Sequence, residues 1–200
     1  MNLIGITGFK TSGKDTTFEA IRTLTGGLAV RRAFADNLKR IGALALGLEF
    51  DQMERFKEIG QLDIGGLPPQ WPSGSTTTGR QYLQNLGVGA REVFGTNFWV
   101  DQVLPVDPRK RELIWSTGPL APPKWGVVTD VRFPNEAERV LDLGGEVWEV
   151  IRPGLESDGH ASEIPLPREL VTREILNNST IHDLDLEVEH ALRNYKGGGS

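Results

Sequence analysis

Short apolar runs alternate with amphipathic, helix-like segments along this chain. Such alternation favours a parallel sheet with helices on both faces, because each crossover between parallel strands returns over one face of the sheet. We therefore predict an α/β fold with three layers and a central parallel sheet. The apolar runs that predict strands are Leu3–Thr7, the region around Ala29–Ala35, the further candidate Glu112–Ser116, Gly126–Thr129 and Glu146–Ile151.

The clearest unit of this alternation lies between residues 127 and 151. A strand over Val127–Asp130 is followed by Pro134, which suits the first position of a helix. Apolar residues at helical spacing continue to Gly144 and Gly145, and the run Val147–Ile151 then predicts the next strand. This pattern predicts a right-handed βαβ crossover.

Length and composition indicate one globular domain. The chain has 200 residues, of which 38% are hydrophobic and 24% charged, an ordinary composition for a domain of this size. Gly, Pro, Ser and Thr become frequent in two stretches, so we predict insertions near 50–79 and 104–124. The predicted domain covers 1–196, and Gly- and Ser-rich residues 197–200 predict a flexible tail.

The same composition excludes several kinds of reaction and of binding partner. The chain has no cysteine, which excludes disulfides and thiolate catalysis. No apolar run reaches the ~18 residues of a membrane span, so a cytoplasmic protein without a membrane partner is expected. With 22 basic and 27 acidic residues, the chain is an unsuitable partner for polymeric nucleic acid. Free nucleotides fit better, and the number of subunits is open, with a homodimer among the options.

A phosphate-binding loop is predicted between the first strand and the first helix. Gly8 and Gly13 enclose four residues, and Lys14 follows directly. Glycines at these positions allow a tight turn whose N–H groups face an anion at a helix N-terminus, and Lys14 adds a positive charge. The helix after the loop is predicted from the apolar positions Phe18, Ile21 and Leu24.

The residue after Lys14 departs from the usual form of this loop. A Ser or Thr that binds Mg²⁺ is typical there, whereas this chain has Asp15 and moves the hydroxyl to Thr16. Asp15 either takes part in binding the metal or serves as an acidic residue at the helix N-terminus, where its charge is favourable. The sequence leaves both options open.

A second cluster of candidate residues follows the strand at residues 127–130. Asp130 is placed to orient Mg²⁺ at the carboxyl edge of the sheet, or alternatively to cap the helix at Pro134. Arg132 is placed to neutralise phosphoryl oxygens, or alternatively to form a surface ion pair with Glu136.

Other candidates lie in the first half of the chain. Asp36 and Lys39 start the helix after the second strand, and the alternatives are a helix cap for Asp36 and a solvated side chain for Lys39. Arg80 lies near the start of a helix that we predict to end at Gly87, and a cation there favours a bound anion. Trp99 belongs to an aromatic cluster that is more typical of a core than of a base-stacking surface.

Several of these stretches, taken in order, resemble the bacteriophage deoxynucleoside monophosphate kinases. That family has the same Ser-Gly-Lys-Asp-Thr sequence in its phosphate-binding loop. The resemblance is carried by Gly8–Thr17, Ala35–Lys39, Arg80–Gly87, Phe98–Val100, Asp130–Arg132 with Glu136, Val150–Gly154 and His160–Glu163.

The resemblance implies a P-loop kinase fold, ATP and Mg²⁺ as cofactors, and a deoxynucleoside monophosphate as the small-molecule partner. It places ATP phosphates on Ser12, Gly13, Lys14, Asp15 and Thr16. The implied catalytic residues are Lys14 and Arg132, and the implied metal site is drawn from Asp15, Thr16 and Asp130. The implied substrate-binding residues are Lys10, Asp36, Lys39, Arg80, Gly87, Trp99, Asp130, Arg132, Glu136 and His160.

Two other functions fit the phosphate-binding loop. One is a different small-molecule kinase, of the phosphomevalonate or dephospho-coenzyme A kinase type. The other is a nucleotide-binding regulatory protein without catalysis. An Asn-Lys-x-Asp guanine motif is missing from the sequence, which disfavours a GTPase-like switch.

Overall fold

The computed structural model describes residues 1–59, 78–116, 123–155 and 164–197. His160, the end of the predicted tail and parts of both predicted insertions lie outside these ranges. The chain divides into two compact units, one formed by Met1–Ala33 with Val103–Ser200 and the other by Phe34–Gln102. A single domain over 1–196 stays a prediction.

Five strands and eight helices make up the described part of the chain, with one 3₁₀ turn at Arg168–Leu170. The elements in chain order are β1 (Asn2–Thr7), α1 (Lys14–Leu24), β2 (Ala29–Arg32), α2 (Phe34–Ala45), α3 (Phe50–Ile59), α4 (Gly79–Phe94), α5 (Phe98–Asp101), α6 (Pro108–Trp115), β3 (Trp125–Val128), α7 (Pro134–Asp142), β4 (Glu146–Ile151), β5 (Arg173–Leu176) and α8 (Ile181–Arg193). Within the described ranges, no helix is both long and apolar enough to cross a membrane.

All five strands of the first unit are parallel and follow the order β2-β3-β1-β4-β5. β1 is therefore central, and its Ile4 lies beside Val127 of β3 and Glu146 of β4. The predicted α/β class with a parallel sheet is confirmed. So are the strands predicted near 3–7, 126–129 and 146–151, within a residue at each end.

Side chains of β1 alternate between the two faces of the sheet. Ile4 and Ile6 are fully buried in one core cluster with residues of α1 and α8. Gly5 faces the other side, where an added Cβ would lie 2.9 Å from Val131 Cγ2 and 3.1 Å from Val140 Cγ2 of α7. Helices thus cover both faces, and the close approach of α7 requires glycine at position 5.

The C-terminal end of α8 returns to the start of the sheet. The hydroxyl of Tyr195 accepts a hydrogen bond from Leu3 N and donates one to Leu3 O, each at 3.1 Å. Burial raises the pKa of this hydroxyl, and the nearby charge of Glu146 raises it further. Tyr195 thereby holds the end of the described chain against the central strand.

The second unit is helical. Its core contains the fully buried Met53 and Phe56 of α3, packed with Leu83 of α4 and residues of α2. At the N-terminus of α4, Thr78 and Gln81 form a capping box in which the Thr78 hydroxyl accepts from Gln81 N at 3.2 Å and Gln81 Oε1 accepts from Thr78 N at 2.9 Å. The predicted start of this helix is confirmed.

The strand predicted at Glu112–Ser116 is wrong, because this segment lies in α6 and the residue after it. The Asp107 carboxylate accepts the N–H of Arg109 at 3.0 Å and so starts the helix at Pro108. Trp115 is buried and its Nε1 donates to Val103 O at 3.0 Å, whereas Leu113 is 79% exposed. A short apolar run has the same composition in a strand and in an amphipathic helix turn.

One predicted helix end, at Gly87, is wrong, and so is the alternative that Asp36 caps a helix. Gly87 does not end α4, which continues to Phe94 and is followed by Gly95 at a φ of 99°. Gly87 lies inside the helix, and the packing of Leu38 accounts for a glycine there, because an added Cβ would be 3.3 Å from Leu38 Cδ2. Asp36 is not a cap, because α2 begins at Phe34 and Asp36 lies in its first turn.

Candidate functional site

The predicted phosphate-binding loop lies between the central strand and α1. Gly8 and Gly13 have φ values of 137° and 108°, which residues with a side chain rarely adopt. A Cβ at Gly8 would also lie 2.5 Å from Val150 O and 2.7 Å from Ser12 Oγ. The loop can take this shape only with glycine at both positions.

Ser12 is the buried polar residue of the loop. It is 1% exposed, and its backbone N–H donates to Phe9 O at 3.2 Å. Within the described residues, its Oγ has no hydrogen-bond partner. Leaving a buried hydroxyl unsatisfied costs free energy, and either a water or a polar ligand atom at the loop would supply the partner.

Lys14 folds back over the loop that precedes it. Its Nζ donates to Gly8 O at 2.7 Å and to Phe9 O at 2.6 Å. These contacts place the positive charge at the inside of the turn. An anion held by the loop would therefore meet both N–H dipoles and an ammonium group.

The residues around Lys14 are more exposed. Lys10 and Thr16 are exposed, and the side chain of Asp15 is 88% exposed, with its Oδ1 4.0 Å from Arg31 Nε. Gly13 occupies the N-cap position of α1, so Asp15 is an acidic residue of the first turn and not the cap. Its charge is favourable there whether or not it also binds a metal.

The oxygen ligands near the loop would bind Mg²⁺ together with phosphate oxygens, and not as a complete protein site. No group of three or more His, Asp or Glu side chains capable of holding a metal occurs in the part of the chain that is described. Mg²⁺ commonly takes one or two protein oxygens and completes its shell with phosphate and water. Asp15, Thr16 and the half-buried Asp130 carry oxygen ligands of this kind, and a metal site that they share stays a prediction.

The second cluster follows β3, the strand next to β1. The N–H of Val131 donates to Ile6 O at 3.1 Å, which ties this segment to the end of the central strand. Asp130 and Arg132 flank Val131, so the structure places both at the same sheet edge as the phosphate-binding loop. Arg132 is exposed there.

Glu136 has a structural contact in the same cluster. It is 3% exposed, and its Oε2 accepts the backbone N–H of Arg132 at 2.7 Å and of Phe133 at 3.1 Å. The carboxylate thus binds two backbone N–H groups of the residues that lead into α7. Asp130 as the cap of α7 is wrong, because Phe133 holds the cap position. A role of Glu136 in substrate binding stays a prediction.

In the second unit, Lys39 is paired and not solvated. Its Nζ lies 2.5 Å from Glu54 Oε1, and only 18% of its side chain is exposed. Lys57 lies 3.3 Å from the other oxygen of Glu54. Burial acts to raise the pKa of Glu54, but the hydrogen bonds and charges of Lys39 and Lys57 outweigh it and lower that pKa. The sequence did not single out Glu54.

Trp99 and Gly87 are joined by a hydrogen bond within the second unit. The indole is 3% exposed, and its Nε1 donates to Gly87 O at 3.0 Å. Trp99 is therefore a core residue, as its aromatic neighbours suggested. Arg80 is exposed in the first turn of α4. Substrate contacts of Arg80, Gly87 and Trp99 stay predictions.

Asn177 contacts the phosphate-binding loop and was missed by the sequence analysis. Its Nδ2 donates to Ser12 O at 2.7 Å. It follows β5, a four-residue edge strand in which Ile175 is the buried residue. The usable signal was the Ser179-Thr180 pair ahead of an apolar helical pattern, which indicates a helix start and hence a preceding strand.

No protein-family model matches the chain. A protein of Acanthamoeba polyphaga mimivirus named "Putative deoxynucleotide monophosphate kinase" is 29% identical over 205 residues, an alignment that covers 97% of each chain. This similarity supports a kinase. It extends across the loop, the β3 edge and both units, so it is not confined to the phosphate-binding motif. An origin in a bacteriophage stays a prediction.

Proposed function

We propose that this protein is a deoxynucleoside monophosphate kinase that converts ATP and a deoxynucleoside monophosphate into ADP and the deoxynucleoside diphosphate. The observation that carries the proposal is the buried, unpartnered Ser12 hydroxyl in a loop whose shape requires glycine at positions 8 and 13. The name and nearly full-length similarity of the mimivirus protein support the choice of acceptor.

The reaction needs positioning and charge neutralisation more than proton transfer. An oxygen of the acceptor phosphate bonds to the γ-phosphorus of ATP, and the bond from that phosphorus to the β–γ bridging oxygen breaks, so that ADP leaves. Because the attacking oxygen is already anionic, no general base is required. The loop N–H groups and Lys14 stabilise charge on the donor phosphates, and Arg132 neutralises the transferring group.

Mg²⁺ would be held by Asp15, Thr16 or Asp130 together with the phosphates, and when bound it supplies neutralisation of phosphate charge. Asp15 is well suited to a water-mediated contact, because its carboxylate is exposed and next to Lys14. Without Mg²⁺ between them, a carboxylate so near the phosphates would repel them.

An anionic acceptor requires several cations, and Lys10, Lys39, Arg80 and Arg132 are the set that we assign to it. We further propose a preference for deoxyribose over ribose. A bulky ring could exclude the 2′-hydroxyl, but Tyr82 and Trp99 make internal hydrogen bonds within the second unit. The preference therefore rests on the resemblance and the name of the relative.

A coupled assay of ADP release tests the proposal. The acceptors are the four deoxynucleoside monophosphates and the matching ribonucleotides, with phosphomevalonate and dephospho-coenzyme A as controls. We expect ADP release with at least one deoxynucleotide, and a higher kcat/KM than with its ribonucleotide. Turnover of only phosphomevalonate or dephospho-coenzyme A would refute the proposed substrate, and equal values for the two sugars would refute the deoxyribose preference alone.

A further inference from the structure

Asn177 has a fixed backbone position at the carboxyl edge of the sheet. Its N–H donates to Ile151 O at 2.8 Å, which extends the pairing of β4 with β5 by one residue. Asn177 is half-buried, whereas its neighbour Asn178 is exposed. The side chain of Asn177 therefore starts from a rigid strand end, and such positions hold a contact with more precision than a loop does.

From this position the Asn177 amide reaches the phosphate-binding loop, which is 165 residues away in sequence. Its Nδ2 donates to the carbonyl oxygen of Ser12 at 2.7 Å. The amide also occupies the space beside Gly13, because an added Cβ there would collide with Nδ2. Gly13 is thus required both by its φ of 108° and by the packing of Asn177.

The hydrogen bond orients a peptide group that faces the ligand position. In a trans peptide, the C=O and the following N–H point in opposite directions. Because Ser12 O points toward Asn177, the N–H of Gly13 points away from it. A rotation of this peptide would turn the carbonyl dipole toward the anion, where a donor is needed.

We propose that Asn177 is a positioning residue for the phosphate-binding loop, acting through the orientation of the Ser12–Gly13 peptide. This inference rests on the proposed function in one respect, namely that the loop binds nucleotide phosphates. Asn177 itself needs no contact with the nucleotide.

The test compares three variants by calorimetric titration with Mg·ADP. Asn177→Leu keeps the branched shape of the side chain and removes the donor without adding charge. Asn177→Asp places a carboxylate against Ser12 O. Asn178→Asp adds the same charge at the adjacent, exposed position and is the matched control. We expect Kd to rise about five- to tenfold for Asn177→Leu, the range for one lost hydrogen bond, and further for Asn177→Asp.

Two further readouts separate positioning from general stability. The first readout is the rise in Tm on adding Mg·ADP, measured from each variant's own Tm without nucleotide. This rise should be smaller for both Asn177 variants than for the wild type, even if one variant is partly unfolded at the assay temperature. In the kinase assay, KM for ATP should rise while KM for the acceptor stays at the wild-type value.

The possible outcomes are distinct. Wild-type binding by Asn177→Leu would overturn the positioning role and leave the kinase proposal intact. An equal loss of binding in Asn178→Asp would also overturn it, because the effect would then not be specific to position 177. If the wild-type protein binds neither Mg·ADP nor Mg·ATP, both proposals fail.

Discussion

The Lys14 ammonium donates hydrogen bonds to backbone oxygens, and we expect phosphate oxygens to take their place when a nucleotide binds. Two of its three donors bond to the carbonyl oxygens of Gly8 and Phe9. Carbonyl oxygens are weaker partners than phosphate oxygens, since hydrogen bonds between two charged groups are the stronger class. The side chain is thus held beside the phosphate position by contacts that a bound nucleotide can displace.

We expect Lys14→Ala to lower kcat by at least about 10²-fold, the usual effect of removing one preorganised electrostatic group. The helix content should not change, because the contacts of the Lys14 ammonium with Gly8 O and Phe9 O lie in the loop and outside every helix. Steady-state kinetics and circular dichroism check this, with the exposed Lys124→Ala as the control. A folded Lys14→Ala variant with near-normal turnover would contradict the role of the loop.

Asp15 permits a separate test of the metal. If Asp15 contributes to the Mg²⁺ site, Asp15→Asn should raise the Mg²⁺ concentration that gives half-maximal rate, because a carboxylate is the preferred ligand. Its 88% exposure predicts a change of less than about 0.5 kcal/mol in the free energy of unfolding. The measurement is the reaction rate as a function of Mg²⁺ concentration. An unchanged half-maximal concentration would mean that Asp15 acts only as an acidic residue in the first turn of α1.

Arg80 and Arg132 should differ in the kinetic parameter that they affect. Arg132 lies at the β3 edge, where we propose that it neutralises the transferring group, so Arg132→Ala should mainly lower kcat. Arg80 lies at the start of α4 and should mainly affect KM for the monophosphate, since binding that is equal in ground and transition states appears in KM. Arg55→Ala, exposed in α3, serves as the control. Reversed effects would mean that the two roles are exchanged.

The N-terminus of α8 is stabilised by a carboxylate, so its stability should depend on pH. The Asp183 carboxylate accepts from the Thr180 hydroxyl at 2.7 Å and from Thr180 N at 3.1 Å. Hydrogen bonds from the side chains of Ser179 and Thr180 lower the pKa of Asp183 from 3.8 to about 2. Because the folded-state pKa is the lower one, the stabilisation is fully present above pH 3.8 and is lost as the pH falls through about 2.

We therefore expect wild-type protein to have a higher Tm than Asp183→Asn at pH 5, and the difference to shrink as the pH approaches 2. Thermal unfolding followed over this range checks the expectation. Asp185→Asn, in the same helix, is the control variant. A difference that stays constant down to pH 2 would mean that the ionised carboxylate does not stabilise this helix start.

The elements that the sequence predicted correctly share strong local signals. β1, α1, α7 and β4 each combine an apolar pattern of the right period with glycine or proline at an end. α6 was mistaken for a strand because its start depends on the Asp107 side chain, and its apolar run is too short to reveal a period. Gly87 was mistaken for a helix end because the packing of Leu38, which favours glycine there, is a tertiary contact.

The sheet core sets the stability of the first unit. Ile4 is fully buried at the centre of the sheet, so Ile4→Ala should lower the free energy of unfolding by about 2–5 kcal/mol. For a chain of this length, the corresponding fall in Tm is about 5–15 °C. Leu113→Ala, at a side chain that is 79% exposed, is the control and should have little effect. Differential scanning calorimetry measures both, and similar Tm values would contradict the placement of β1 in the core.

The candidate site was predictable where its residues are close in sequence and not where distant segments meet. The loop from Gly8 to Thr16 has a spacing that follows from phosphate geometry alone. By contrast, the contact of Asn177 with Ser12 and that of Glu54 with Lys39 depend on which strands and helices become neighbours. Sequence patterns indicate the faces of elements, but they do not indicate which polar groups meet across the fold.

The central place of β1 has a consequence for synthesis of the chain on the ribosome. β1 pairs with β3 and β4, and Leu3 also bonds to Tyr195, yet all of these partners are made much later than β1. At ~5–20 residues per second, the ribosome needs several seconds or more to reach them. During that interval the apolar segment from Leu3 to Ile6 has no sheet to join. A nascent chain stopped before β3 therefore exposes this segment without a partner strand and is open to aggregation, and a chaperone would have the most effect at that stage.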